Sequence, residues 1–532
     1  MEKTHRNSSF VRQASILAGA SLLVRLMGFL YRLPLTNLIG DEGNAYYAAA
    51  YQVYTFAIIM SSGALIAAIS RLTSERIAEK RFRDAHQLFK TALIFSTTLG
   101  IIATAILYFW AESIAGLFNL PEAVHSIRVL SPAVFLVSIL AVFRGYFQGM
   151  QNAVPTAVSQ VVEQIFKVSF SIWLAYMFFD AAFVEYSAAG AAAGTIISVF
   201  SALAVVWIIY RKTNREMLIL SYRDSEKKYY EQPLYQVSII LKTALPMIAG
   251  LVLVSIANFL DLGMSTSRIY DSGYFTEDEI RVLVGQFQVK FILLTTLPVS
   301  LSMALSSAII PEISAAKANK DIRAIRQKSR MALRLSMALS FPAAAILTVL
   351  ADPIVLMLFP NHPDGGVLLR FGAVSILLLA LTQVSTGILQ GVGLVSMPVI
   401  AMIFGIIIKV PVNYFLLAIP GVNILGAVFS TIACFLVAGT FNMYFLLRIV
   451  GVRPEIDMLF VKPAISAIGM SVICFMVYRL AYIFAGNTLS TLLGIFAGGL
   501  AYLFMMILFR GFNPRDIDAL PLPRSVKSAL RH

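Results

Sequence analysis

Long apolar runs alternate with short polar connections along the whole chain. A run of about 20 apolar residues is long enough to cross a bilayer as a helix. Fourteen such spans are predicted, at 12–38, 44–70, 86–110, 124–148, 155–178, 184–210, 237–262, 284–309, 331–358, 368–390, 397–419, 423–448, 460–484 and 488–510. The connections alternate in charge. One set is basic: Arg71 to Lys90, Arg211 to Gln236, Lys317 to Arg330, Arg448 to Arg453 and the tail from Arg510. The other set is nearly free of Lys and Arg and often acidic: Asp41-Glu42, Glu122, Asp180 to Glu185, Asp271 to Glu279 and Asp364. Basic residues collect on the cytoplasmic side of a membrane, so both termini are expected in the cytoplasm. The first apolar run is long and contains Arg25, which reads as an uncleaved helix rather than a signal peptide. The predicted fold class is an all-α, polytopic membrane protein.

The pattern also repeats. Ala111-Glu112-Ser113-Ile114-Ala115-Gly116-Leu117-Phe118 has a counterpart in Ala351-Asp352-Pro353-Ile354-Val355-Leu356-Met357-Leu358-Phe359. Gly145-Tyr146-Phe147-Gln148-Gly149, Pro155 and Lys167 are matched by Gly387-Ile388-Leu389-Gln390-Gly391, Pro398 and Lys409. Two six-helix lobes are therefore expected, 1–210 and 237–450, joined by a cytoplasmic linker at 211–236, with residues 451–532 adding two helices and a tail. Like-oriented halves in a bilayer point to a transporter with its site between them. Gly149, Pro155, Gly391 and Pro398 bracket short connections, and are expected to serve tight turns or a hinge.

Composition agrees and removes other classes. Of 532 residues, 58% are hydrophobic and 13% charged, with a mean hydropathy of +0.80; a soluble domain carries about 25% charge. The net charge of +14 sits in the short connections and forms no nucleic-acid patch. Cys434 and Cys474 both fall in apolar spans, with no metal or disulfide spacing. No Walker-type loop, His-Glu-x-x-His or cysteine cluster is present. No enzyme activity and no cofactor are expected. Transport would run downhill, or couple to a monovalent cation or the membrane potential.

Ionisable residues inside spans are the candidate chemistry, since each costs about 2.5–3.5 kcal/mol at mid-bilayer on insertion scales. Arg25, Gly28 and Arg32 share one face of the first helix. They form a stripe suited to an anionic head group, or else Arg32 snorkels to the outer interface and Arg25 pairs with an internal carboxylate. Gln160, Glu163, Gln164 and Lys167 follow i, i+3, i+4, i+7 spacing on the fifth, where Glu163 and Lys167 can pair at i, i+4. That stripe lines a cavity or clamps helices together. Lys409 has no acid one turn before it. Lys290 and Asp261 are candidates for a second wall. Arg71, Arg144 and Lys242 lie at helix ends, where the positive-inside rule accounts for them.

The run Arg144-Gly145-Tyr146-Phe147-Gln148-Gly149, followed by Pro155-Thr156-Ala157-Val158-Ser159-Gln160-Val161-Val162-Glu163-Gln164, resembles the signature of the MurJ/SpoVB/YtgP-type polysaccharide and lipid II flippases. These belong to the superfamily that also holds the MATE drug exporters. Arg25-Leu26-Met27-Gly28-Phe29, Pro298-Val299-Ser300-Leu301, Ile310-Pro311, Gln390-Gly391 and Ile408-Lys409 extend the resemblance over essentially the whole chain. The resemblance implies fourteen helices in two lobes, and a cationic cavity for the diphosphate-sugar of an undecaprenyl-linked precursor in the bacterial plasma membrane. Cell-wall synthases are candidate partners. Arg25 matches the family's first-helix arginine, and Arg32 falls one residue beyond the second. The second-helix arginine has no match, and Lys290 lies about one turn from the eighth-helix position. A MATE-like cation-coupled exporter is the competing reading. It would want buried carboxylates, and the spans offer mainly Glu163 and Asp261 against Arg25, Arg32, Lys167, Lys290 and Lys409.

Overall fold

The computed structural model describes residues 17–511, apart from 18, 22, 181, 224–230 and 454. Of residues 214–223, 246, 247 and 249 only the backbone is described. The start of the first predicted span, part of the predicted linker and the basic tail lie outside the described residues. The described residues form helices and no strands, as the apolar runs predict.

Two compact units divide the chain, Met1–Ser267 and Arg268–His532. In unit 1, α1 (Arg32–Ile58), α2 (Leu65–Ala78), α3 (Phe82–Phe109), α4 (Ala111–Gly116), α5 (Ala123–Gly149), α6 (Val154–Met177) and α7 (Val184–Arg223) follow in order, then most of α8 (Pro233–Asp271). Unit 2 holds α9 (Glu277–Gln286), α10 (Ile292–Ala318), α11 (Ile322–Val349), α12 (Ala351–Leu358), α13 (Gly366–Gly372), α14 (Ser375–Gly391), α15 (Ser396–Leu417), α16 (Leu425–Phe445) and α17 (Lys462–Leu508). The unit 1 core joins Leu65, Ile69 and Leu72 to Leu88, Phe89, Phe143, Tyr146, Phe147, Val199 and Val206. Ile240 and Ala244 of α8 belong to the same core, so the helix that opens the second repeat packs its first half on unit 1. In unit 2, Ile313, Leu333, Met337, Val384 and Ile388 form the main core, and Met470, Tyr502 and Met506 of α17 pack beside Ala338 and Phe341.

Among the described residues, ten helices are long and apolar enough to cross a membrane, or eleven when the α13–α14 pair, bent by 53°, is counted. Fourteen separate spans are not resolved this way, and the reasons are local. The first two predicted spans meet inside α1 at Gly40, and the last two inside α17 at Gly486, each glycine at φ +68°. Glycine takes that left-handed value without a Cβ clash, so the chain turns where the sequence pattern suggested a connection. The fifth predicted span, α6, carries the polar stripe and is not among the ten. Helix α7 also runs on to Arg223; residues 211–223 open on a polar run and hold neither Gly nor Pro to stop the helix.

The repeated glycines do something other than turn the chain. A Cβ at Gly149 would lie 2.6 Å from Thr73 Cβ and 2.8 Å from the Ser70 carbonyl oxygen, and one at Gly391 3.0 Å from the Ile310 carbonyl oxygen. Each is the last residue of its helix and lets two helices approach closely. The left-handed residue of each connection comes two positions later, Gln151 at φ +57° and Gly393 at φ +83°. Pro155 and Pro398 lie in the first turns of α6 and α15, where a helix has no use for the N–H that proline lacks.

The start of α8 is tied down by charge. Glu231 accepts from Arg76 at 2.6 Å and from Arg81 at 2.5 Å. Burial alone would raise its pKa, and the two guanidiniums outweigh it, holding the carboxyl below the usual range. In unit 2, Glu455 is held likewise by Arg334 at 3.0 Å and Arg330 at 3.6 Å.

Candidate functional site

The polar face of α6 meets a tyrosine face of α1. Tyr47, Tyr51 and Tyr54 recur at i, i+4, i+7 and so share one side of α1. Tyr47 and Tyr51 stack at 5.9 Å between centroids, and Tyr54 packs on Tyr51 at 5.6 Å. Tyr31, one residue before α1, shares a hydrogen bond of 3.1 Å with the Tyr47 hydroxyl.

Two cations sit on this cluster. The Arg32 guanidinium lies 4.8 Å from the centre of the Tyr47 ring, and 5.8 Å from those of Tyr31 and Tyr51. Lys167, 8% exposed on α6, donates from Nζ to the Tyr51 hydroxyl at 3.1 Å. The same Nζ is 4.4 Å from the Tyr51 ring centre and 5.8 Å from that of Tyr31. Cation–π contact is worth up to about 2 kcal/mol when water is excluded. That is less than a full counter-charge supplies.

Glu163 does not neutralise Lys167. Its carboxylate accepts from Arg144 Nη2 of α5 at 2.7 Å, and Arg144 Nε donates to Ser159 Oγ at 2.9 Å. The expected i, i+4 pair is overturned because Arg144 reaches across from the neighbouring helix with a guanidinium fork. Arg144 in turn is more than a positive-inside residue: it clamps α5 to α6. The stripe thus divides into a clamp, Glu163, and a cation, Lys167. Gln160 Oε1 and Gln164 Nε2 on the same helix are buried and have no hydrogen-bond partner within the protein. A Cβ at Gly28 would lie 3.5 Å from Gln164 Nε2, so the first-helix face does meet the stripe at that glycine. Arg25 lies on the same helical run before α1 and is exposed.

The remaining candidates are placed elsewhere. Asp261 is buried on α8. Lys290 is 0% exposed in a wide turn of helix, Phe287–Phe291, between α9 and α10. Its Nζ lies 6.0 Å from the Phe359 ring centre, and Gly365, at φ +90°, covers its side chain where a Cβ would come within 3.1 Å of Lys290 Cδ. Lys290 is enclosed within unit 2. Lys409, 2% exposed, donates to Thr431 Oγ1 of α16 at 2.9 Å. Among the described residues no group of three or more His, Cys, Asp or Glu could hold a metal.

Sequence reasoning missed Tyr31, Tyr47, Tyr51 and Tyr54. The i, i+4, i+7 spacing of the last three was available as a signal. It passes for core, because tyrosine is amphipathic and common in apolar helices.

Comparison with known proteins follows the same lines. Among curated proteins of Bacillus subtilis (strain 168), the chain is 26% identical to the uncharacterized membrane protein YabM, over 97% of this chain and 96% of that protein. It is 24% identical to lipid II flippase MurJ, over 80% of each, and 25% identical to stage V sporulation protein B, over 80% and 81%. The fold is that of a solved lipid II flippase MurJ in an inward closed conformation, with a TM-score of 0.69 at 16% identity, covering 93% of this chain and 98% of that one. The MatE family model matches residues 288–415. The polysaccharide biosynthesis protein model matches residues 10–317, more than half of the chain, so this multi-pass membrane protein belongs to the polysaccharide biosynthesis protein family.

Proposed function

We propose that the protein is a flippase. It carries an undecaprenyl-diphosphate-linked saccharide, above all lipid II, from the inner to the outer leaflet by alternating access, for peptidoglycan or spore-cortex synthesis. One observation carries this reading. Arg32 and Lys167 come from different helices to one tyrosine cluster, and among the described residues neither has a carboxylate within ion-pair distance. Each basic residue inside a membrane costs about 2.5–3.5 kcal/mol. Two of them on one cluster without a counter-charge call for an anion, and a diphosphate accepts from both an arginine fork and a lysine point charge. The names of the relatives support the same reading. Of the two carboxylates that would serve a cation-coupled drug exporter, Glu163 is taken by Arg144.

The alternating loop charges support cytoplasmic termini under this reading. Cysteines placed at Lys320 and Asn361 should then label from opposite sides of the membrane, and labelling of both from outside intact cells would refute that topology. The function is tested with labelled lipid II in vesicles. Wild-type protein should expose the lipid at the outer leaflet, and Arg32→Ala and Lys167→Ala should not, while inserting normally. Well-inserted variants that flip as wild type would remove these residues from the site. A wild-type protein that moves no lipid II would remove the substrate.

A further inference from the structure

This inference rests on reading Arg32 and Lys167 as an anion site. The α6–α7 and α15–α16 hairpins share a register. Lys167 and Lys409 are 242 residues apart, as are Leu174 and Leu416. On the second helix of each hairpin a glycine packs against those leucines: a Cβ at Gly190 would lie 2.6 Å from the Leu174 carbonyl oxygen, and one at Gly426 2.9 Å from the Leu416 carbonyl carbon. The shift from Gly190 to Gly426 also carries Thr195 onto Thr431. Lys409 Nζ donates to Thr431 Oγ1 at 2.9 Å. Thr195 Oγ1 is buried with no hydrogen-bond partner within the protein, while Lys167 reaches away from its own hairpin to Tyr51 on α1. In the first hairpin the matching lysine and threonine are both present and are not hydrogen-bonded to each other.

We infer that Thr195 is a second seat for the Lys167 ammonium, and that Lys167 passes between Tyr51 and Thr195 as the anion is bound and released. On Tyr51 the lysine shares the tyrosine cluster with Arg32, and the cluster holds two cations. On Thr195 it leaves one. Coulomb attraction for a diphosphate is strong in the first arrangement and weaker in the second. Thr195 is a positioning residue that acts through Lys167. An unpaired buried hydroxyl costs free energy, which is the physical reason to expect an intermittent partner.

Two measurements on the full-length protein test this. The first is the structure of Tyr51→Phe, which removes the observed seat. Lys167 Nζ should then lie within hydrogen-bond distance of Thr195 Oγ1, as Lys409 does at Thr431. A lysine that stays by the α1 rings or points elsewhere overturns the second seat, whatever the substrate is. The second compares Thr195→Val with Thr195→Ser, using farnesyl diphosphate for binding and labelled lipid II in vesicles for flipping. Valine removes the hydroxyl at nearly constant volume and confines the lysine to the cluster. By removing the competing seat it should tighten farnesyl diphosphate binding by at most about twofold, since the cluster seat is already the occupied one, and slow flipping severalfold. Serine should leave both near wild type. Plain structural damage would weaken binding and slow flipping together, so weaker binding by Thr195→Val, or flipping at the wild-type rate, overturns the inference. A wild-type protein that binds no farnesyl diphosphate overturns the anion reading instead, and the Tyr51→Phe structure still decides the seat.

Discussion

The α6–α7 hairpin of unit 1 and the α15–α16 hairpin of unit 2 begin from the same pattern and end in different chemistry. Both carry a buried lysine at the same register. In unit 2 the lysine is satisfied inside its own hairpin by Thr431, and the positions matching Gln160, Glu163 and Gln164 are Met402, Gly405 and Ile406. Gly405 packs tightly there: a Cβ would lie 2.7 Å from the Cys434 carbonyl oxygen. In unit 1 the polar stripe is kept, its acid is clamped by Arg144, and the lysine is turned out to a tyrosine face. The position matching Arg144 in unit 2 is Thr386, which accepts a hydrogen bond from Asn442 at 3.1 Å. The lesson is that a repeated cation is not given a repeated partner. One copy holds its lysine by a hydrogen bond within its own hairpin; the other turns its lysine out to the tyrosine cluster.

The two lysines give the largest test of that contrast. Lys167→Ala should lose roughly 2 kcal/mol or more of anion binding, about 30-fold, with little change in melting temperature. Lys409→Ala should do the reverse. It leaves Thr431 unpaired and a cavity behind, and should cost about 2–4 kcal/mol of stability, with the surviving protein flipping near the wild-type rate. Flipping assays and thermal melts in detergent on both variants check this. Equal loss of transport from both would erase the distinction.

The clamp is the next largest effect. Glu163→Gln strands the Arg144 guanidinium, which is only 11% exposed, and should lower stability by about 2–3 kcal/mol. The double variant Arg144→Gln, Glu163→Gln should recover at least about 1 kcal/mol of that loss. Additive losses in the melts would mean that the pair is incidental. The smallest effect lies in the two turns. Gln151 holds a left-handed conformation that Gly393 adopts freely, so Gln151→Gly should stabilise by about 0.5–1 kcal/mol and Gly393→Ala should cost about 1 kcal/mol. A destabilised Gln151→Gly would show that the glutamine side chain holds the turn.

The membrane-spanning helices, the repeat register and the membership of Gln160, Glu163, Gln164 and Lys167 in one stripe were legible because each depends on local period. A helix places every third and fourth residue on one face whatever surrounds it, and a bilayer demands long apolar runs. Other features were out of reach for a reason of the same kind. Gly40 and Gly486 bend continuous helices, and nothing in the apolar pattern distinguishes a glycine that bends from one that packs.

What the sequence by itself determined is which residues are costly to bury: Arg32, Lys167, Glu163, Lys290 and Lys409, each in or beside an apolar run. What only the tertiary structure decided is how each is compensated. Glu163 found Arg144 on α5, Lys409 found Thr431, Lys290 was enclosed beneath Phe359 and Gly365, and Arg32 and Lys167 were left to tyrosines. The physical reason is range. Helical period is fixed within a few residues, whereas a charge is settled by whichever groups the packed helices bring beside it, and most of those partners lie from 15 to more than 100 residues away along the chain.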